Sequence, residues 1–156
     1  MTHMEIVEFE PALAGAFKAL NEAWITRYFA LEAKDLEVLD DPVGKIVDPG
    51  GRILFAVDEG QTVGCVALLA MADGGFEVAK MAVAESHQGR GLGRALLAAC
   101  VERARAAGAP RLYLETNSAL TPALGLYRSF GFRKLSGMSR GPDDYARVDT
   151  WMELDL

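Results

Sequence analysis

The sequence predicts an α/β (α+β) domain in which about four helices flank a mixed central sheet of about six to seven strands. Three observations predict it. The chain has 156 residues, 51% hydrophobic and 24% charged, a globular balance and one domain's worth of length, so residues 1–156 are expected to form a single domain. Apolar residues alternate with polar ones in some stretches and recur at helical spacing in others. Mid-chain, a strand, a glycine-rich loop and a helix follow one another directly.

The elements follow in order. MEIVEFE (4–10) alternates apolar and charged residues, as a strand does. In ALAGAFKALNEAWITRYFAL (12–31), Leu13, Phe17, Leu20, Trp24, Tyr28 and Leu31 recur at helical spacing. A second short helix is expected from Asp35, closed by DDP (40–42). KIVDPGGRILFAVDEGQTVGCVALLAM (45–71) predicts two strands joined at DEG (58–60); DGG (73–75) turns into a third, FEVAKMAV (76–83). A helix is expected over Leu92–Ala107, with Leu92, Leu96, Cys100 and Ala104 inside and Gly108 and Pro110 ending it. RLYLETN (111–117) is a strand, and LTPALGLYRSFGF (120–132) a helix with Thr121 as cap, Pro122 in its first turn and Gly131 past its end. ARVDTWMELDL (146–156) supplies the last strand. MTHM (1–4) reads in part as a cloning remnant.

The bulk numbers exclude several classes. A net charge of −6 argues against a nucleic-acid partner, which needs a basic face to displace counterions. There is no apolar run of about eighteen residues and no basic-then-apolar leader, so no membrane partner and a cytoplasmic location are expected. Cys65 and Cys100 sit in apolar stretches and are expected as buried reduced thiols. With His3 and His87 as the sole histidines, no metal site is expected.

SHQGRGLGRALL (86–97) places three glycines at alternate positions just before an apolar helix. Each glycine costs conformational entropy, so the backbone must turn sharply there or something must approach it closely. Unpaired N–H groups at a helix start form a site for an anion such as phosphate, with Arg90 and Arg94 adding charge. Neither a Walker loop nor a dinucleotide fingerprint fits the spacing, and a bare glycine-rich helix entry is the alternative.

More of the chain enters the pattern. QGRGLG (88–93) is similar to the Q/R-x-x-G-x-G/A loop of the GCN5-related N-acetyltransferases, the GNAT superfamily. KMAV (80–83) resembles the strand upstream of that loop, LETN (114–117) the strand that follows, and ALGLYRSFGF (123–132) the A-x-x-L-Y-x-x-x-G-F helix. The resemblance covers residues 76–132 and implies the GNAT fold, with the sheet splayed between its fourth and fifth strands. It implies that Gln88, Gly89, Arg90, Gly91, Leu92, Gly93 and Arg94 hold the diphosphate of acetyl-CoA, which serves as co-substrate. Main-chain groups of Met81, Ala82 and Val83 would pair with the pantetheine arm, and a bulge in that strand would aim an N–H at the thioester oxygen.

The resemblance also places Tyr127 near the coenzyme sulfur, as the acid; the alternative is a tyrosine packed under the Gly131 turn with its hydroxyl on a backbone carbonyl. Glu77 is the candidate base. Regular alternation puts it on one strand face with Ala79, Met81 and Val83, where desolvation would raise its pKa. A salt bridge to Lys80 or Arg52 is the alternative. Glu115 is the rival base; it shares a face with Asn117, a match to a residue that bonds the cofactor arm or a water, or else strand-end turn chemistry. Cys100 has no histidine at i±3 or i±4, so direct attack in a ternary complex is preferred over an acetyl-cysteine route. Trp24, Arg27, Tyr28 and Tyr145 are the candidate acceptor-binding residues, with the polar loop SRGPDDYARVD (139–149) covering the site. A small-molecule or amino-acid-like amine acceptor is preferred over protein N-termini or lysines, and over a non-catalytic acetyl-CoA-binding domain. A homodimer is compatible with the sequence and not required by it.

Overall fold

The structure, a computed structural model, describes residues 4–156. His3 and the MTHM reading fall outside these residues, except for Met4, which opens the first strand. Strands β1 (Met4–Glu8), β2 (Arg52–Asp58), β3 (Gln61–Ala70) and β4 (Phe76–Val83) are successive antiparallel neighbours. β5 (Arg111–Thr116) runs parallel to β4; β7 (Thr150–Asp155) is antiparallel to β5, and β6 (Arg133–Lys134) closes the far edge. The described residues thus form a seven-stranded mixed sheet in the order β1-β2-β3-β4-β5-β7-β6.

Helices cover both faces. α1 (Ala14–Tyr28) and α2 (Ala33–Asp40) bury Phe17 and Leu39 against Ile53, Phe55, Cys65, Ala67 and Ala82. α3 (Leu92–Ala106) and α4 (Thr121–Ser129) cover the other face, where Leu96, Leu97, Cys100 and Leu124 meet Leu54, Val66, Leu68, Val78 and Leu114. The β2–β3 hairpin turns through Glu59 and Gly60, both with positive φ, the two-residue turn whose twist matches the strands. Leu92, Leu96, Cys100 and Ala104 are all buried, as their helical spacing predicts.

Several boundaries differ from expectation. A 3-10 turn (Pro11–Leu13) precedes α1, which ends at Tyr28, so Leu31 lies beyond it. Its buried stripe runs through Phe17, Asn21 and Ile25, and Tyr28 is 44% exposed. α2 starts two residues before Asp35, because the Asp35 side chain reaches back to accept from the Glu32 N–H in a capping box. Thr121 is the first residue of α4, not its cap: Leu120 precedes it without a side-chain cap, and Asn117 shapes the entry by accepting from the Ala119 N–H. The last strand begins at Thr150, because residues 141–149 run as a loop tied to α2.

Candidate active site

β4 and β5 pair only through Phe76–Val78 and Leu112–Leu114. Beyond Val78 and Leu114 the two strands carry no mutual ladder, which opens the sheet at the splay between the fourth and fifth strands. A cleft of about 600 Å³ fills the opening. Its wall includes Trp24, Tyr28, Glu77, Met81, Ala82, Val83, Gln88, Gly89, Glu115, Asn117, Tyr127 and Tyr145, residues from α1 through the loop before β7. Arg27 is not on this wall; it pairs with Glu85 at 3.4 Å and lies over the Tyr28 ring, beside a separate small hollow. Arg90, Gly91, Leu92, Gly93 and Arg94 continue from the end of the cleft into the first turn of α3.

β4 does not alternate regularly. Ala79 pairs with Ala67 and Ala82 with Cys65, so Lys80 and Met81 together oppose Val66. Lys80 has φ +55°, a left-handed conformation that a side-chain-bearing residue holds at a cost of about 1 kcal/mol or more. The bulge reverses the faces. Phe76 and Val78 pack toward α3, Ala82 toward α1, and Met81 and Val83 toward α3 again. Glu77 therefore does not share a face with Met81 and Val83, contrary to the alternation expected of an unbroken strand. It opens toward the cleft on the α1 side, together with the Lys80 end of the bulge.

The loop before α3 presents a row of main-chain donors. The N–H groups of Gly89, Arg90, Gly91, Leu92, Gly93 and Arg94 have no partner among the described residues. Gly89 and Gly91 both have φ +79°, which explains glycine at these positions; a Cβ at either would meet nothing within 4 Å, so the space above them is open. The helix dipole and these N–H groups fit a diphosphate. Gln88 Nε2 donates to the Val83 carbonyl, and His87 Nε2 lies 2.9 Å from Asp58 Oδ2, anchoring the loop to β4 and to the end of β2. Arg94 donates to Ser129 Oγ and lies over the Phe130 ring, which holds it against α4.

The acid–base groups differ in how fully they are engaged. Glu77 makes no hydrogen bond or ion pair among the described residues; Lys80 turns to Asp35, and Arg52 to Glu8. Burial, and next the charge of Glu115, push the Glu77 carboxyl up to about 7. Glu115 is engaged: Tyr113 donates to it at 2.8 Å. Tyr127 has no side-chain hydrogen-bond partner among the described residues, so the alternative of a hydroxyl parked on a carbonyl is not what they contain. Burial pushes that phenol up to about 12, and it keeps its proton throughout the physiological range. Asn117 is occupied at both ends, donating to the Arg147 carbonyl and accepting from Ala119. Cys100 is buried and pushed up to about 12 by desolvation, an inert thiol; Cys65 is free and buried like it.

A buried ion cluster forms the third side of the cleft. Asp35 is fully buried; it accepts from Lys80 at 2.6 Å and from both Arg147 terminal nitrogens at 2.9 and 2.6 Å. Burial alone would raise its carboxyl, but these donors outweigh it and hold the group at about 2. Lys80 also donates to the Tyr145 hydroxyl at 3.1 Å. Asp35, Lys80 and Arg147 had no place in the sequence-based site. The one readable trace was the acidic pair at 32 and 35 ahead of an apolar helix, a capping signature.

A mixed sheet splayed between β4 and β5, with free main-chain N–H groups at one end of the opening, defines the class of fold. Comparison with known proteins agrees. Residues 14–132 match the acetyltransferase (GNAT) family, and the chain belongs to that family. An IAA acetyltransferase of Azospirillum brasilense is 38% identical over 98 residues, covering 62% of this chain and 61% of that one. An uncharacterised N-acetyltransferase of Bacillus subtilis is 32% identical over 105 residues, 65% of this chain and 68% of that one. The match spans about three fifths of the first of these relatives. Among solved structures, a GNAT-family acetyltransferase of Staphylococcus aureus superimposes with a TM-score of 0.87 at 16% identity, covering 99% of both chains. The Salmonella typhimurium protein yncA, solved with its cofactor acetyl-CoA, gives 0.78 at 24% identity, covering 99% of this chain and 94% of that one. Both likenesses are likenesses of fold. No described helix is long and apolar enough to cross a membrane.

Proposed function

We propose that the chain is an acetyl-CoA-dependent N-acetyltransferase that acetylates the primary amine of a small molecule by direct attack in a ternary complex. The observation that carries this reading is the pairing, in one cleft, of an unengaged carboxyl pushed to about 7 with an unengaged tyrosine hydroxyl. Acetyl-CoA supplies an acyl group already activated as a thioester. The free N–H groups of Gly89–Arg94 hold its diphosphate, and the main chain of Met81–Val83, unpaired on the β5 side, is free to bond its amide-bearing arm. Glu77 takes the proton from the acceptor ammonium at its carboxylate oxygen, which makes the nitrogen nucleophilic. Tyr127 holds its proton on the phenol oxygen and donates a hydrogen bond toward the sulfur as charge develops there. An inert Cys100 removes the obvious acceptor for a covalent route. The enclosure of the cleft by Trp24, Tyr28 and the Tyr145 loop favours a small acceptor over a protein chain.

The test is thiol release from acetyl-CoA across a panel of amines. Tyr127→Phe is expected to lower kcat by about tenfold to a hundredfold while leaving acetyl-CoA affinity within about twofold. Tight donor binding without turnover of any amine would replace this reading with that of a binding domain.

A further inference from the structure

Tyr145 stands at an unusual electrostatic position. Its ring is flanked by Arg147 at 4.2 Å, Lys34 at 4.4 Å and Lys80 at 4.5 Å. Its hydroxyl accepts a hydrogen bond from the Lys80 ammonium, so its own O–H is left to donate, and no acceptor for it exists among the described residues. Burial first, and then the charges of Asp35, Glu77 and Glu32, outweigh Arg147 and raise the Tyr145 phenol, so it keeps its proton and stays a donor. Tyr145, Lys80 and Arg147 all line the cleft.

The negative groups nearby do not use up this wall. Asp35 is one carboxylate between two cations, and its hydrogen bonds go to Lys80, Arg147 and the Glu32 N–H, none to the Tyr145 hydroxyl. Glu32 lies 3.6 Å from Arg147 and spends its oxygens on the Ala146 N–H. Asp144 accepts from the Gly141 N–H within its own loop. Glu77 and Glu115 line the same cleft, and the charge of Glu77 acts on the Tyr145 phenol. The cleft thus offers a carboxyl that can take a proton from a cation and a hydroxyl that can donate to an anion.

We propose that Tyr145, backed by Lys80 and Arg147, is a carboxylate subsite, and that the acceptor is an aminocarboxylate whose amine faces Glu77. This rests on the transferase reading above. An ammonium and a carboxylate on one small molecule satisfy Glu77 and Tyr145 at once, and an acceptor lacking the carboxylate leaves the Tyr145 donor unpaired in a desolvated site. A site built to hydrogen-bond a group discriminates strongly against the analogue without it.

The experiment measures thiol release with the common amino acids, their primary amides and the corresponding decarboxylated amines, alongside calorimetry with acetyl-CoA. At least one amino acid is expected to exceed its amide and its amine by roughly tenfold or more in kcat/KM. This preference runs against the lower basicity, and hence larger free-amine fraction, of the amide. Tyr145→Phe is expected to raise the amino-acid KM by roughly tenfold, to abolish the preference over the amide, and to leave acetyl-CoA affinity unchanged. Equal or better turnover of amides or amines by the wild type, or a preference that survives in Tyr145→Phe, would overturn the subsite. Acetyl-CoA binding with no amino acid turned over would overturn it too. Failure to bind acetyl-CoA at all would instead sink the transferase reading on which it rests.

Discussion

A carboxyl held near neutrality by burial and by a second carboxylate binds its proton more tightly in the folded chain than in the unfolded one. Glu77 is in that position, at about 7 against an ordinary 4.5. Below pH 4.5 both states are protonated and the group is neutral toward stability. As pH rises from there to about 7 the unfolded chain releases the proton first, so Glu77 costs stability, and the cost is complete above 7. Allowing for its part exposure, that cost is about 1–3 kcal/mol. Glu77→Gln is therefore expected to be more stable than wild type by that amount at pH 8, with the difference narrowing by pH 5 and closing below 4.5; denaturation across these pH values measures it. Its activity should move the other way, with kcat/KM down by about a hundredfold or more and without the rise through pH 7 expected of wild type. A Glu77→Gln enzyme that keeps that pH limb would assign the base elsewhere, with Glu115 the next candidate. Glu115 is the poorer base as it stands, since Tyr113 already occupies it. A residue that is worse for the fold and better for the chemistry is expected at a working site and not in a structural ion pair.

The glycine loop and the β4 bulge both hold backbone at positive φ, yet only one was visible in the sequence. Gly89 and Gly91 announce positive φ because no other residue adopts it cheaply. An alanine at either is expected to lower stability by about 1–2 kcal/mol and to weaken acetyl-CoA binding at least tenfold, read by thermal melts and calorimetry. Gly125→Ala is the contrast: it lies in helix α4 with open space around it, and should gain about 0.5–1 kcal/mol with donor affinity unchanged. The bulge at Lys80 carried no such mark. KMAV has no glycine, and an alternating reading runs straight through it, so the face of every residue after Lys80 was inverted. Helical spacing in Leu92, Leu96, Cys100 and Ala104, and turn residues at Glu59–Gly60, were legible because they are local. Tyr127 and Asn117 were found through motif resemblance, Glu77 through an alternation that the bulge breaks and Glu115 through its place beside Asn117, and all four line one cleft. Arg27, chosen for its charge alone, faces Glu85 instead.

At the scale of the whole molecule the unread part is the long-range ion cluster, since Asp35 and Arg147 are 112 residues apart and no spacing rule joins them. Asp35 ties three pieces together: the start of α2, the bulge of β4 through Lys80, and the loop before β7 through Arg147. The loop carries Tyr145 into the cleft wall, so the same carboxylate that closes the fold on this side also braces the proposed acceptor wall. Removing it leaves two cations beside each other with no shared partner. Lys80, already lowered by burial first of all, then loses the ion pair that keeps it charged. Asp35→Asn is therefore expected to cost about 3–5 kcal/mol, the usual penalty for breaking a buried pair from one side. The stabilisation comes from a carboxyl held at about 2 against an ordinary 3.8, so it is present above the ordinary value and fades as pH falls toward 2. The gap between variant and wild type should accordingly be full at pH 7 and shrink in acid. Hydrogen exchange should show residues 141–149 opening more often in the variant, with α3 and its loop protected as before. Acetyl-CoA affinity should be nearly unchanged while the acceptor KM rises. A loop that stays protected in Asp35→Asn, or a donor site that weakens with it, would mean that the cluster braces the sheet and does not hold the acceptor wall.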